Sequence, residues 1–239
     1  MFVMLLKNGI VLSNDFQFKQ ADVAICGEKI DKKSTDNEII DCTDCYVIPG
    51  LIDIHTHGAL GYDNMDLSKE AMDAISVYMG KNGVTTYLAN VMTESHDAML
   101  SACENIEQSI RAGTPGAKIG GVYMEGPYFS HKYKGAQNPD YIRPASIAEF
   151  DEFNKDGVIK IISLAPETDG ALDFIEKEKD RVKIFIGHTD ADYETAKEAI
   201  SLGASGLTHT FNGMRGFHHR TPNAVGAALE SGIFCECIC

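Results

Sequence analysis

Two histidines one residue apart, His55 and His57 in IPGLIDIHTHG (48–58), can aim two imidazoles at one point. In an extended strand, residues i and i+2 share a face, so both rings project together while Thr56 turns away. Neutral imidazole is a ligand for zinc, iron, cobalt and nickel. An H-x-H pair alone is weak evidence, because paired strand histidines are often solvated or satisfied within a core, so the ligand reading needs donors downstream. Those donors follow, each at the end of an apolar run. The run 118–126 (KIGGVYMEG) delivers Glu125, 182–189 (VKIFIGHT) delivers His188, and 206–211 (GLTHTF) delivers His209. Taken singly, each is more simply a polar residue held by a backbone hydrogen bond. As a set on successive strand ends they supply enough nitrogen and oxygen donors for one divalent metal ion or a close pair.

Segments with helical period separate these runs. Ser68 precedes Met72, Ile75 and Met79, with Gly83 following. Ser95 precedes Met99, Ala102, Ile106 and Ile110, with Gly113 following. Ser146 with Glu149 three residues on forms a capping box, and Thr221-Pro222 is a favourable helix start. Seven strands are predicted after residue 47: 48–57, 84–92, 118–125, 159–167, 183–188, 206–210 and 233–239. Alternation of this kind predicts an α/β fold with a parallel sheet and helices outside it. Ligands on the first, third, fifth and sixth strand ends must converge, which the carboxyl face of a closed (β/α)8 barrel permits and a flat doubly wound sheet does not.

PGLIDIHTHG, MEGPYFSHKYKGAQNP, SLAPE (163–167), IGHT (186–189) and THTFNGM (208–214) together resemble the amidohydrolase superfamily, and within it the N-acetylglucosamine-6-phosphate deacetylases. PGLIDxHxHG is specific only to the superfamily, whereas EGP…KGAxNP and HxFNxM…R are narrower. The resemblance runs from about residue 2 to the last residue. It implies a TIM barrel beside a small β domain, here divided as 1–47 and 48–239. Strands at 5–12, 18–25 and 29–30, turns at 13–15 and 26–28, and a polar loop over 31–38 fit the first portion of that β domain.

The same resemblance implies the site. Glu125, His188 and His209 hold a divalent metal, zinc or iron, that activates water against an acetamide carbonyl. His55 and His57 hold a second ion or orient the acetamide and water around one. Ala136, Gln137, Asn212 and Gly213 match segments that contact the sugar, and Arg220 matches a phosphate-binding arginine that acts across a homodimer interface. Where many relatives have histidine, position 137 is glutamine, which donates hydrogen bonds but carries no charge. His218 and His219 are read as solvated. The family pattern continues with a D-G-x-H segment and a general acid–base aspartate, so the chain is expected to be C-terminally truncated, with the catalytic aspartate beyond residue 239. Such a fragment should have about seven strands, bind metal and turn over nothing.

Composition sets further bounds. With 44% hydrophobic and 23% charged residues, the 239-residue chain can bury one sizeable core. A net charge of −14 argues against nucleic acid or an anionic membrane as a partner and leaves a small anionic amino sugar phosphate to Arg220. No secretory signal or membrane span is read from the sequence, and seven cysteines, an odd number, fit free thiols in a reducing cytoplasm. Cys42-x-x-Cys45 and the alternating Cys235, Cys237 and Cys239 raise a structural zinc as the lesser alternative to buried or free thiols. Two rival functions stand beside the deacetylase: another amidohydrolase acting on cyclic amides or amines, and a non-catalytic metal-binding fragment.

Overall fold

The computed structural model describes residues 3–31 and 38–238, in two compact units, Met1–Leu51 and Ile52–Cys239. The division thus falls at Leu51/Ile52 rather than between 47 and 48.

In the first unit β1 (Val3–Leu12) pairs antiparallel with β2 (Phe18–Cys26), which pairs antiparallel with β3 (Lys29–Asp31). Gly27 turns β2 into β3 at φ 62°, a conformation glycine adopts without Cβ strain. Two short strands, β4 (Glu38–Asp41) and β5 (Tyr46–Val47), lie parallel to β1. Sequence pattern did not single them out, because strands this short are defined by a distant partner rather than by their own periodicity. Of the polar stretch read as a loop over 31–38, Asp31 and Glu38 are strand residues. Residues 32–37 lie outside the described residues.

The second unit opens within β6 (Leu51–Thr56), from its second residue on, followed by a small hairpin, β7 (Gly58–Ala59) with β8 (Tyr62–Asp63). It continues as α1 (Lys69–Lys81), β9 (Val84–Val91), α2 (His96–Ala112), β10 (Lys118–Glu125), α3 (Ile147–Phe153) and β11 (Ile159–Leu164). After these come α4 (Ala171–Glu178), β12 (Lys183–Ile186), α5 (Tyr193–Leu202), β13 (Gly206–Leu207), α6 (Asn223–Ser231) and β14 (Phe234–Cys235). Seven strands make one sheet in the order β14-β13-β12-β11-β10-β9-β6, a curled parallel half-barrel. The fold is therefore an open, seven-stranded (β/α) half-barrel among the described residues.

Local chemistry starts the helices where the sequence indicated. The Ser68, Ser95 and Ser146 hydroxyls accept from the backbone N–H groups of Ala71, Ala98 and Glu149, satisfying donors that a first helical turn leaves free. Asp192 does the same for α5, accepting from Thr195. The helix starting beyond Thr221-Pro222 is α6. Period-2 alternation then sorts the strand residues. In β10, Val122 and Met124 join the large core beneath the helices, whereas Tyr123 packs with Leu88, Ile161 and Phe185 in a separate inner cluster. Glu125 shares the inner side with Tyr123, and that placement delivers it to the carboxyl end of the sheet. Among the described residues no helix is long and apolar enough to cross a membrane.

Candidate metal centre

Five predicted donors meet at that end. His55 and Glu125 lie at the ends of β6 and β10, and His188 and His209 follow β12 and β13 by two residues. His188 and His209 have φ of 45° and 28°, sparsely populated values for non-glycine residues and a mark of backbone held for function. The donors form two groups, His55–His57–Glu125 and Glu125–His188–His209, with candidate ligand atoms inside each group within 4.8 Å of one another. Glu125 belongs to both. Its Oε1 is 3.0 Å from His188 Nε2 and 3.4 Å from His209 Nε2, while its Oε2 is 3.5 Å from His57 Nε2. His55 Nε2 stands 3.7 Å from Oε1.

The surrounding hydrogen bonds fix the tautomers. His188 Nδ1 lies 2.9 Å from the Tyr133 carbonyl and His209 Nδ1 lies 3.0 Å from the Asn212 carbonyl. A carbonyl only accepts, so each Nδ1 carries the proton and each Nε2 presents a lone pair. Those two Nε2 atoms are 3.1 Å apart beside a carboxylate oxygen. Two acceptors at that distance need a cation or a proton between them. Burial disfavours the charged form of His209, but Glu125 outweighs it and the His209 pKa is raised. Burial likewise opposes ionisation of Glu125. Close contact with the His188 and His209 imidazoles, with His55 nearby, reverses that and holds its carboxyl well below the usual range. His57 is half-buried, its partial desolvation lowers its pKa, and its Nδ1 is without a hydrogen-bond partner among the described residues. A cluster of imidazoles gathered around one carboxylate fits a divalent metal ion.

Residues around the cluster hold it from outside. Asn90 Nδ2 donates to Glu125 Oε2 at 3.3 Å, and Thr93 Oγ1 donates to the Glu125 carbonyl at 3.0 Å. Gly213 at φ 57° lies against both histidines, where an added Cβ would stand 3.2 Å from His188 Nδ1 and from His209 Cε1. A cleft of about 470 Å³ opens beside the cluster, with Asp53, His57, His209, Glu236 and Cys237 in its wall.

The residues expected to meet substrate are placed less uniformly. Gln137 is buried and its Oε1 accepts from the Thr93 backbone at 3.0 Å, so this side chain buttresses the segment that holds Glu125. Ala136 is exposed in the same loop. Asn212 is exposed, with its carbonyl committed to His209. Arg220 is exposed, and among the described residues no carboxylate pairs with its guanidinium. His218 and His219 are exposed and in tilted ring contact, with centroids 4.1 Å apart, and belong to neither donor group. Cys42, Cys45, Cys235 and Cys237 are free thiols and appear in no candidate metal group among the described residues, and Cys239 lies outside them.

Glu236 was not anticipated. Its Oε2 is 2.9 Å from His55 Nδ1 and 3.0 Å from the His209 backbone nitrogen. One sequence signal was available: Glu236 is the single charged residue in the terminal run IFCECIC, on the opposite face from the alternating cysteines.

Comparison with known proteins agrees with this geometry. The model of the amidohydrolase family matches residues 46–236. N-acetylglucosamine-6-phosphate deacetylase of Vibrio furnissii is 40% identical over 186 residues, 77% of this chain and 47% of that protein. N-acetylgalactosamine-6-phosphate deacetylase of Escherichia coli O157:H7 is 38% identical over 184 residues, 76% of this chain and 49% of that protein. The crystal structure of N-acetylglucosamine-6-phosphate deacetylase from Pasteurella multocida superposes with a TM-score of 0.88 at 27% identity, covering 98% of this chain and 64% of that one. The chain thus spans about half the length of the curated relatives it matches. With the family's pattern matched from 46 to 236 and five candidate metal donors gathered at the carboxyl ends of its barrel strands, the chain belongs to the amidohydrolase family.

Proposed function

We propose that these residues form the metal-binding part of a hydrolase that removes the acetyl group from N-acetyl-D-glucosamine 6-phosphate, giving glucosamine 6-phosphate and acetate. The observation that carries the reading is the pair of donor groups sharing Glu125. Its substrate comes from the relatives, which are named for N-acetylated amino sugar 6-phosphates. Rival cyclic-amide chemistry has no comparable support among them. Glu125, His188 and His209 hold one ion, and His55 and His57 with Glu125 offer a second position. A divalent ion bound there lowers the pKa of its water to about 7 and polarises an amide carbonyl.

The chain's own residues prepare that chemistry. Tyr133 and Asn212 carbonyls keep the His188 and His209 lone pairs turned to the centre. Thr93, braced by Gln137, holds the backbone at Glu125. The two carboxylates in contact with the histidines, Glu125 and Glu236, are both committed to them, so protonation of the departing amine falls to a group outside this pair. Arg220, with no acidic partner among the described residues, is the phosphate contact, aided by Ala136, Asn212 and Gly213 at the sugar, while Gln137 acts through Thr93. As in the family resemblance, Arg220 acts in a homodimer.

The test is acetate release by the metal-loaded protein that carries these residues. N-acetylglucosamine 6-phosphate is expected to be turned over at least about 10²-fold better than N-acetylglucosamine, since a guanidinium gains a bidentate partner only with phosphate. Arg220→Ala should remove most of that preference. Equal turnover of the two sugars by the unmutated protein rejects the phosphate role.

A further inference from the structure

Among the described residues the sheet is open between β6 and β14, its two edge strands. Glu236, just past β14, reaches across that opening to His55 on β6, accepting from Nδ1 at 2.9 Å. The same carboxylate oxygen, Oε2, accepts from the His209 backbone N–H at 3.0 Å. Glu236 is itself held at both ends of its peptide unit. Its N–H donates to the Leu207 carbonyl at 3.0 Å, and its carbonyl accepts from Thr210 at 2.8 Å. The segment carrying His209 therefore wraps around Glu236, and the side chain projects from that frame to a histidine 181 residues away. Tyr123, its ring centroid 4.6 Å from that of His55, packs against the imidazole from within the half-barrel.

We propose that Glu236 is a positioning residue of the metal centre: it fixes His55 as the Nδ1–H tautomer, turns the Nε2 lone pair toward Glu125, and ties His55 to the His209 segment across the open side of the sheet. A carboxylate is suited to this because one ionised oxygen accepts from the imidazole and the backbone amide together. Histidine ligands with such a partner enter metal coordination in the correct tautomer and ring orientation. Without it, His55 would distribute between tautomers and rotate about χ2. The inference rests on the metal-centre reading above and adds to it a residue that acts through His55 and the His209 backbone.

The experiment compares wild type, Glu236→Gln and Glu236→Ala in the whole chain, with zinc affinity measured by competition against a chromogenic chelator. Histidine ring tautomers are read from long-range ¹H–¹⁵N spectra of the metal-free protein. Glu236→Ala is expected to bind zinc about 10- to 100-fold more weakly. Glu236→Gln should stay within about threefold of wild type, because an amide oxygen can accept both bonds. His55 should be Nδ1-protonated in wild type and the Gln variant and mixed in the Ala variant. If the Ala variant loses its fold, the wild-type and Gln tautomers still decide the matter. Unchanged affinity in Glu236→Ala, equal losses in both variants, or an Nε2-protonated His55 in wild type overturns the proposal alone. Wild type that takes up no zinc overturns the metal-centre reading and the proposal with it.

Discussion

Glu125→Gln is expected to weaken zinc binding by at least about 10³-fold, on the order of 4 kcal/mol, in the same chelator competition. Size is conserved, so the effect isolates charge and ligand chemistry. Glu125 is the donor common to both groups, and its histidine neighbours hold its carboxyl well below the usual range. An amide oxygen at that position is a poor ligand, and its NH₂ would point a donor at atoms that need a cation. The side chain is 3% exposed, so water cannot take over the missing coordination. His188→Ala should come close to this effect, since His188 is also buried and sits 3.0 Å from Glu125. Retained affinity in Glu125→Gln would mean that the ion binds elsewhere.

Gly187→Ala is expected to destabilise the protein by about 2–4 kcal/mol through overpacking and a broken buried hydrogen bond. Gly187 lies just before His188, and its N–H donates to the Leu164 carbonyl at 3.0 Å. A methyl group there would run into Ser163 Oγ and stand 2.7 Å from Thr208 Cβ. Ser163 and Thr208 are fully buried and hydrogen-bonded to each other at 2.7 Å, and Tyr123 Oη joins Thr208 at 2.8 Å. No member of that network can swing out to solvent. Relief must come from moving the backbone that carries His188, so metal affinity should fall with stability. Urea unfolding followed by tyrosine fluorescence checks this, the chain having no tryptophan. A loss below about 0.5 kcal/mol, the scale of ordinary surface substitutions, would show the interior beneath the metal site to be more yielding than its geometry indicates.

The parts of the site legible from sequence are those whose signal is local. His55 and His57 announce themselves by strand period, Glu125 and His188 by closing apolar runs, and Ser68, Ser95 and Ser146 by capping chemistry that acts over three residues. What was not legible depends on distant pairing. Glu236 acquires meaning only when β14 comes round to face β6, and β4 and β5 only when β1 lies beside them. Gln137 shows the opposite limit. Its motif suggests a sugar contact, yet its oxygen is spent on the Thr93 backbone, a partner that no spacing rule reveals. The seven-strand count was readable because each strand is bracketed by helix punctuation, though the last two described strands are two-residue pairings rather than the longer runs expected.

The most direct test of the account is X-ray absorption spectroscopy at the zinc edge on the dialysed, zinc-loaded chain, with bound metal counted per chain in the same sample. Four histidines arranged around Glu125 predict one or two retained ions and a first shell of nitrogen and oxygen at about 2.0–2.2 Å with imidazole outer-shell scattering. A shell containing sulfur at about 2.3 Å would move the metal to the cysteines. That result, or the absence of any retained ion, would contradict the claim that His55, His57, Glu125, His188 and His209 form a metal centre.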